Sequence, residues 1–178
     1  MRLARVTAGG RGGTDRLLTE VGRRLEAEGA PLTGVVQSNI EFDPARQCHM
    51  DLHVLGAGDG AAEGLRISQN LGIAALGCRL DPHGLEAAAG AVAAALATGR
   101  PRLLIVNKFG RGEIEGGGFR PVIGQALASG VAVLCGVGAK NAPAFEDFAG
   151  GLAETLAPDA EVVLAWCRAR LSGPDAAD

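Results

Sequence analysis

Arg2-Leu3-Ala4-Arg5-Val6-Thr7 alternates in character, breaks at Ala8-Gly9-Gly10-Arg11-Gly12-Gly13, and resumes as Thr14-Asp15-Arg16-Leu17-Leu18. Beyond Thr14 the apolar positions Leu17, Leu18, Val21 and Leu25 fall at helical spacing, and Gly29 closes the run. The stretch reads as strand, glycine loop, helix. Leu32 to Gln37 follows as a second short strand, which completes a βαβ unit and implies a parallel pair.

Outward from that unit the pattern continues. Asn39 to Gly60 carries Asp43-Pro44, alternating Met50, Leu52 and Val54, and a turn-rich Gly56 to Gly60, the pattern of an antiparallel ribbon at a sheet edge. Arg79-Leu80-Asp81-Pro82 precedes a helix over Gly84 to Thr98, with Asp81 or His83 near its start. Pro101 to Val106 has almost no polar interruption and reads as the buried central strand. A glycine-broken loop, Asn107 to Gly118, leads to a helix over Phe119 to Ser129 and a buried strand over Val131 to Val137. Ala144 to Leu156 is expected to be helical, Val162 to Trp166 a short strand or helix turn, and Arg168 onward polar. The fold class is α/β with three layers: a mostly parallel sheet, helices on both faces and an antiparallel edge ribbon. Residues 1–170 form a single domain, followed by a polar tail over 171–178.

Composition narrows the function. The 178 residues are 47% hydrophobic and 21% charged, enough apolar material for a proper core and too much for intrinsic disorder. Twenty acidic against seventeen basic residues give a formal charge of -3, with no basic stripe to grip a nucleic-acid backbone. Five Phe, one Trp and no Tyr offer little for stacking bases. No apolar run reaches the ~18 residues of a membrane span, and Met1 to Gly13 does not read as a signal peptide. The four cysteines, 48, 78, 135 and 167, are far apart and read as reduced thiols in a cytoplasmic protein.

Ligands of open parallel sheets lie beyond the carboxyl ends of the strands, and three segments fall there: Ala8 to Asp15, Gln37 to Asn39, and Asn107 to Gly118. The first has the place and glycine content of a phosphate-binding loop, feeding a helix N-terminus that favours anions. The motif GxxxxGK[ST] is nevertheless missing. With Gly13 aligned to its last glycine, Thr14 stands for the lysine and Asp15 for the hydroxyl that binds magnesium. Gly9, Gly10, Arg11, Gly12, Gly13, Thr14 and Asp15 are thus candidates to hold an anion, or equally a plain glycine turn.

In the third segment Asn107 and Lys108 stand where a nucleoside triphosphatase carries an acidic pair. Lys108, Arg111 and Arg120 make the mouth cationic, and Glu113 and Glu115 are the remaining acids. This reads as an oxyanion clamp, against the plainer reading of a solvated loop of mixed charge. Phe109 and Gly110 belong to the same lip, with Gln37 and Asn39 as one wall; Ser68, Gln69 and Arg79 complete the ligand-binding candidates, although a turn cap is the safer reading of Ser68-Gln69-Asn70. Cys48, His49 and Cys78 are candidates for a soft-metal site if the ribbon folds back, although their spacing is not that of a zinc site. Buried thiols are the competing reading. Cys135 and Cys167 read as structural.

Several of these segments together resemble the bacterial domain of unknown function 2478 family. They are Gly34-Val35-Val36-Gln37, Cys48-His49-Met50-Asp51-Leu52, Ile67-Ser68-Gln69-Asn70-Leu71-Gly72, Gly77 to Pro82, and Leu104 to Gly110 with Glu113, Glu115-Gly116 and Gly118-Phe119-Arg120. The likeness runs from the first strand to about Val137, and Asn107-Lys108-Phe109-Gly110 is its most specific part. It implies an association with molybdate transport or molybdenum enzymes. The layout is also similar, distantly, to small P-loop nucleoside triphosphatases, which implies their fold with the catalytic parts replaced.

The reading that follows is a non-hydrolysing protein that binds a small anion, either a molybdate-type oxyanion or a nucleotide phosphate. A magnesium-dependent nucleoside triphosphatase using Asp15, Glu113 or Glu115 is the alternative, and a Cys/His metal-handling factor the next. Molybdate, tungstate or a nucleotide with magnesium would be the cofactor. The partner is a small molecule, with neither nucleic acid nor membrane insertion. A homodimer stays open, since doubly wound domains of this size often dimerise.

Overall fold

The chain opens with a strand, a glycine loop and a helix. The computed structural model describes residues 1–40, 49–57, 65–67 and 81–172. Strand β1 (Leu3–Val6) passes through the glycine loop into α1 (Gly13–Ala27) and β2 (Leu32–Ile40). Then come β3 (His49–Leu55), the two-residue β4 (Leu65–Arg66), α2 (Pro82–Thr98) and β5 (Leu103–Phe109). The rest is α3 (Arg111–Ile114), α4 (Arg120–Ala128), β6 (Ala132–Val137), α5 (Ala142–Ala149), β7 (Ala153–Leu156) and α6 (Ala160–Leu171).

The strands lie in the order β4-β3-β2-β5-β6-β1-β7. From β2 to β7 every pairing is parallel, while β3 runs antiparallel to β2, from Gly34↔Leu55 to Ile40↔His49, and β4 antiparallel to β3. This is the expected three-layer architecture with its antiparallel edge. Alternation along β5 explains the layers: Leu103 and Ile105 pack with Leu18, Val21 and Leu25 of α1 and Val163 and Leu164 of α6. Leu104 and Val106 face the other way, onto Ala88 and Val92 of α2, Ile123 of α4 and Phe145 of α5. All four β5 residues are fully buried, each contributing about 1.5–3 kcal/mol relative to exposure.

Local chemistry sets the ends. Gly29, at φ 68°, closes α1 with its N–H donating to Glu26 O at 2.9 Å, while Ala30 N–H reaches Leu25 O at 3.0 Å. Asp81 caps α2 by accepting the His83 N–H at 3.1 Å.

Two expectations near the C-terminus are corrected. The helix expected over Ala144 to Leu156 stops at Ala149, because Gly150 (φ 57°) and Gly151 (φ 77°) turn the chain out of the helix. Ala153–Leu156 then pairs with β1 as the sheet edge. Nor does the chain turn into a polar tail at Arg168. Asp159 accepts the N–H groups of Glu161 and Val162 and starts α6, whose Arg168 and Arg170 bind Glu28 and Glu154. Polar composition there marks one solvated helix face.

Candidate functional site

The strand ends converge where β6 lies between β1 and β5. The connection after β1 leads to α1 on one face and that after β6 to α5 on the other, so a crevice opens between their carboxyl ends. Gly136 makes the approach possible. A Cβ there would collide with Asn107 O and come within 2.8 Å of Leu18 Cδ1 and 2.9 Å of Thr14 Cγ2.

In the glycine loop Gly10 (φ 77°) and Gly12 (φ 67°) take left-handed backbone, and a Cβ at Gly9 or Gly10 would meet nothing within 4 Å. The Thr14 hydroxyl, in the lysine's place, folds back: it accepts the Ala8 N–H at 2.9 Å and donates to Ala8 O at 3.4 Å. Gly13 N–H turns to Gly10 O at 3.3 Å, and Arg16 braces the loop through Arg11 O at 3.0 Å. The Arg11 side chain is exposed. The loop is closed by its own side chains and offers ligands its backbone, the α1 N-terminus and Arg11.

Asp15 and Asn107 meet. Buried Asn107 accepts the Gln37 N–H at 3.1 Å through Oδ1 and donates from Nδ2 to Asp15 Oδ1 at 2.9 Å. The orientation is fixed by chemistry, since a backbone N–H only donates and so takes the amide oxygen. The amide NH2 therefore points at the loop. Magnesium requires oxygen ligands. The strand end turns N–H groups toward the only acid of the loop, and these residues do not fit a metal held between the two.

The lip after β5 separates its candidates. Lys108 is exposed. The Phe109 ring is buried on the far face, edge-on to Phe145 at 5.2 Å and tilted on Phe148 at 5.3 Å. Arg120 stacks on Phe148 at 4.7 Å and donates to Glu113 O at 3.2 Å, so it braces the lip. Glu113 is buried, with Oε2 accepting the Gly110 N–H at 2.8 Å and Oε1 the Phe119 N–H at 3.0 Å. Glu115 lies outside, paired with Arg111 at 2.6 Å.

Beside this lip is a cavity of about 230 Å³. Val35, Leu52, Ile67, Leu85 and Phe119 form its apolar wall, and Gln37, Asn107, Lys108, Gly110, Arg111, Gly112 and Glu113 complete the lining among the described residues. None of Gly9 to Asp15 is among them. Sequence gives no signal that Leu52, Ile67 and Leu85 line a cavity, because apolar wall and apolar core look alike. Gly136 did have a signal, a glycine inside a buried strand, which marks close backbone approach.

Other candidates scatter. Cys48, Ser68, Gln69, Cys78 and Arg79 lie outside the described residues. Asn39 and His49 take neighbouring register positions on β2 and β3. His53 pairs with Glu26 of α1 at 3.1 Å. Among the described residues no three His, Cys, Asp or Glu side chains gather as a metal cluster. Burial pushes the Cys167 thiol up to about 12 and the Cys135 thiol strongly upward, consistent with inert core thiols. Among the described residues no helix is long and apolar enough to cross a membrane.

Two solved structures share the fold over 97% of the chain with TM-scores of 0.62: a human cancer-related nucleoside triphosphatase, 14% identical and 98% covered, and THEP1 from the hyperthermophile Aquifex aeolicus, 16% identical and 100% covered. The three-layer α/β architecture with its antiparallel edge is therefore one that these two proteins share. A curated relative, the Molybdenum import ATP-binding protein ModC 2 of Bradyrhizobium diazoefficiens, is 36% identical over 154 residues. That match takes in 86% of this chain but only 17% of the relative's length. The family model described as Protein of unknown function (DUF2478) matches residues 3–166, the range that includes the glycine loop, Asn107 and the cavity lip, and the chain belongs to that family.

Proposed function

We propose that this protein binds a small anion without hydrolysing it, holding a nucleotide phosphate or a molybdate-type oxyanion where the glycine loop meets the ends of β5 and β6. The orientation of Asn107 carries the reading: its amide, fixed by the Gln37 N–H, turns donors toward Asp15 where hydrolysis would need metal-binding oxygens. Open backbone at Gly9 and Gly10, the first turn of α1 and the Arg11 cation supply the anion's partners. The phosphate option draws support from a fold shared with nucleoside triphosphatases and a relative named as ATP-binding; the molybdenum option rests on the same relative's name.

A thermal-shift panel on the purified protein tests this with ATP and GTP, each with and without magnesium, and with molybdate, tungstate, sulfate and phosphate. A ligand that binds only the folded state raises the midpoint. The expected result is a rise that needs no magnesium, falls in Arg11→Ala, and comes with no phosphate release from ATP. A rise with molybdate and tungstate alone selects the oxyanion. Magnesium-dependent phosphate release, or no rise with any of the eight additions, overturns the reading.

A further inference from the structure

The cavity beside Asn107 is separate from the anion-binding loop, and its chemistry differs. Its wall is hydrocarbon from Leu52, Ile67, Leu85 and Phe119. The charges around it are mostly spent: Glu113 has both oxygens on backbone N–H groups, and Arg111 is paired with Glu115. Lys108 differs. It lines the same cavity, its side chain is exposed, and among the described residues it forms no ion pair or hydrogen bond. An apolar chamber whose described lining includes one uncommitted cation, Lys108, has a definite complement.

We infer that this cavity is a second ligand site, taking a compact planar ring system that carries one negative charge, with the ring against Leu85 and Phe119 and the charge on Lys108. Size sets the ring count. A cavity of roughly 150 Å³ lined by Leu, Ile and Phe holds one benzene, so about 230 Å³ accommodates two fused rings. Lys108 sets the charge, because an anion that leaves water for an apolar chamber needs a partner there. Van der Waals contact with the wall provides the remaining attraction. This site goes beyond the anion reading and does not depend on it, since the two share only the Asn107 wall.

The test uses the full chain and two probes of one shape, 2-naphthoate and its neutral analogue 2-naphthamide, titrated by calorimetry. Both are expected to bind saturably with one-to-one stoichiometry, naphthoate more tightly. Lys108→Met should weaken naphthoate by about tenfold and naphthamide by less than about twofold, the signature of a single charge-assisted contact. Leu85→Trp, which fills the chamber from α2, should abolish both. Gly112→Leu is the second blocking variant, because an added Cβ there meets nothing within 4 Å and so does not disturb the backbone. Three results overturn the inference: no saturable binding of either probe in the millimolar range, equal loss of both probes in Lys108→Met, or full binding retained in a folded blocking variant. ATP or molybdate failing to bind leaves it standing, because neither tests the cavity.

Discussion

Two glycine-rich turns leave this sheet at the ends of buried strands, one after β1 and one after β5, and they use their glycines for opposite purposes. At Gly9 and Gly10 the space beside the backbone is empty, while Thr14 and Asp15 turn inward onto Ala8 and Asn107. That turn draws Thr14 and Asp15 inward and leaves the Gly9-Gly10 main chain and Arg11 exposed. After β5 the main chain is what hides: Glu113 takes the N–H groups of Gly110 and Phe119, and Gly118 packs so closely on this carboxylate that a Cβ would collide with it. The cavity is lined there by the side chains of Lys108, Arg111, Glu113 and Phe119 together with Gly110 and Gly112. Glycine content marks both as turns, and only the destination of each backbone N–H says which binds through its backbone.

The largest effect should come from fusing the two regions' separation. Gly136→Ala puts a methyl into Asn107 O, Leu18 and Thr14 at once, against backbone that does not move aside. We expect a loss of more than about 3 kcal/mol, read from the urea midpoint. A change under 1 kcal/mol, on the order of a tolerated surface substitution, would mean that the crevice is looser than described. Next is Glu113→Gln, which sets an amide NH2 against one of two buried N–H donors. The expected cost is about 2–3 kcal/mol, the scale for hydrogen bonds to a charged acceptor. A variant of normal stability that loses ligand-linked phosphate chemistry would instead make Glu113 a catalytic acid.

Asn107→Asp tests the amide itself. One oxygen still accepts the Gln37 N–H, and the other meets Asp15 Oδ1 where a donor stood at 2.9 Å. Two carboxylates so close raise one folded-state pKa above its unfolded value, so the variant should be weaker than wild type by about 1–2 kcal/mol near pH 7. That penalty should vanish as pH falls through the raised pKa, and millimolar magnesium should relieve it in the variant alone. Magnesium stabilising the wild type equally would contradict the orientation assigned to Asn107. Thr14→Val removes one neutral closure of the glycine loop, at about 1 kcal/mol, and Thr14→Ser should restore it.

The α1 helix was legible from Leu17 to Leu25, and the central strand from Leu103 to Val106, because apolar patterning is a local property of the chain. The end of the domain was not. Ala153–Leu156 is a strand only because β1 offers it an edge, a long-range fact that four residues do not encode. The site divides in the same way. Which segments come near the strand ends follows from their order in the chain, so the glycine loop was placed after β1, whereas Gln37 to Asn39 and Asn107-Lys108, expected beyond their strands, lie inside β2 and β5. Where each side chain points depends on packing: Phe109 and Arg120 turn onto Phe148, and the cavity is built from Leu52, Ile67 and Leu85, whose apolar character is indistinguishable from core.

Glu113 and Glu115 show how little of this spacing alone conveys. Glu113 lies in the short helix α3 and Glu115 caps its C-terminus; two residues apart at about 100° per residue, they stand nearly opposite each other around the axis. Glu113 therefore turns inward to two backbone N–H groups, while Glu115 meets Arg111 in water, where the side chains are 59% and 90% exposed. Solvent screens such a pair, and holding two long side chains together consumes much of the attraction. Glu115→Ala is accordingly expected to leave the urea midpoint and every ligand-induced thermal shift unchanged within error. It is the smallest effect of the set and also the sharpest control. Should Glu115→Ala abolish a ligand shift that Glu113→Gln retains, the exposed face of α3 would be the binding surface, and the contrast between a turn that binds by its backbone and one that walls a cavity would have to be redrawn.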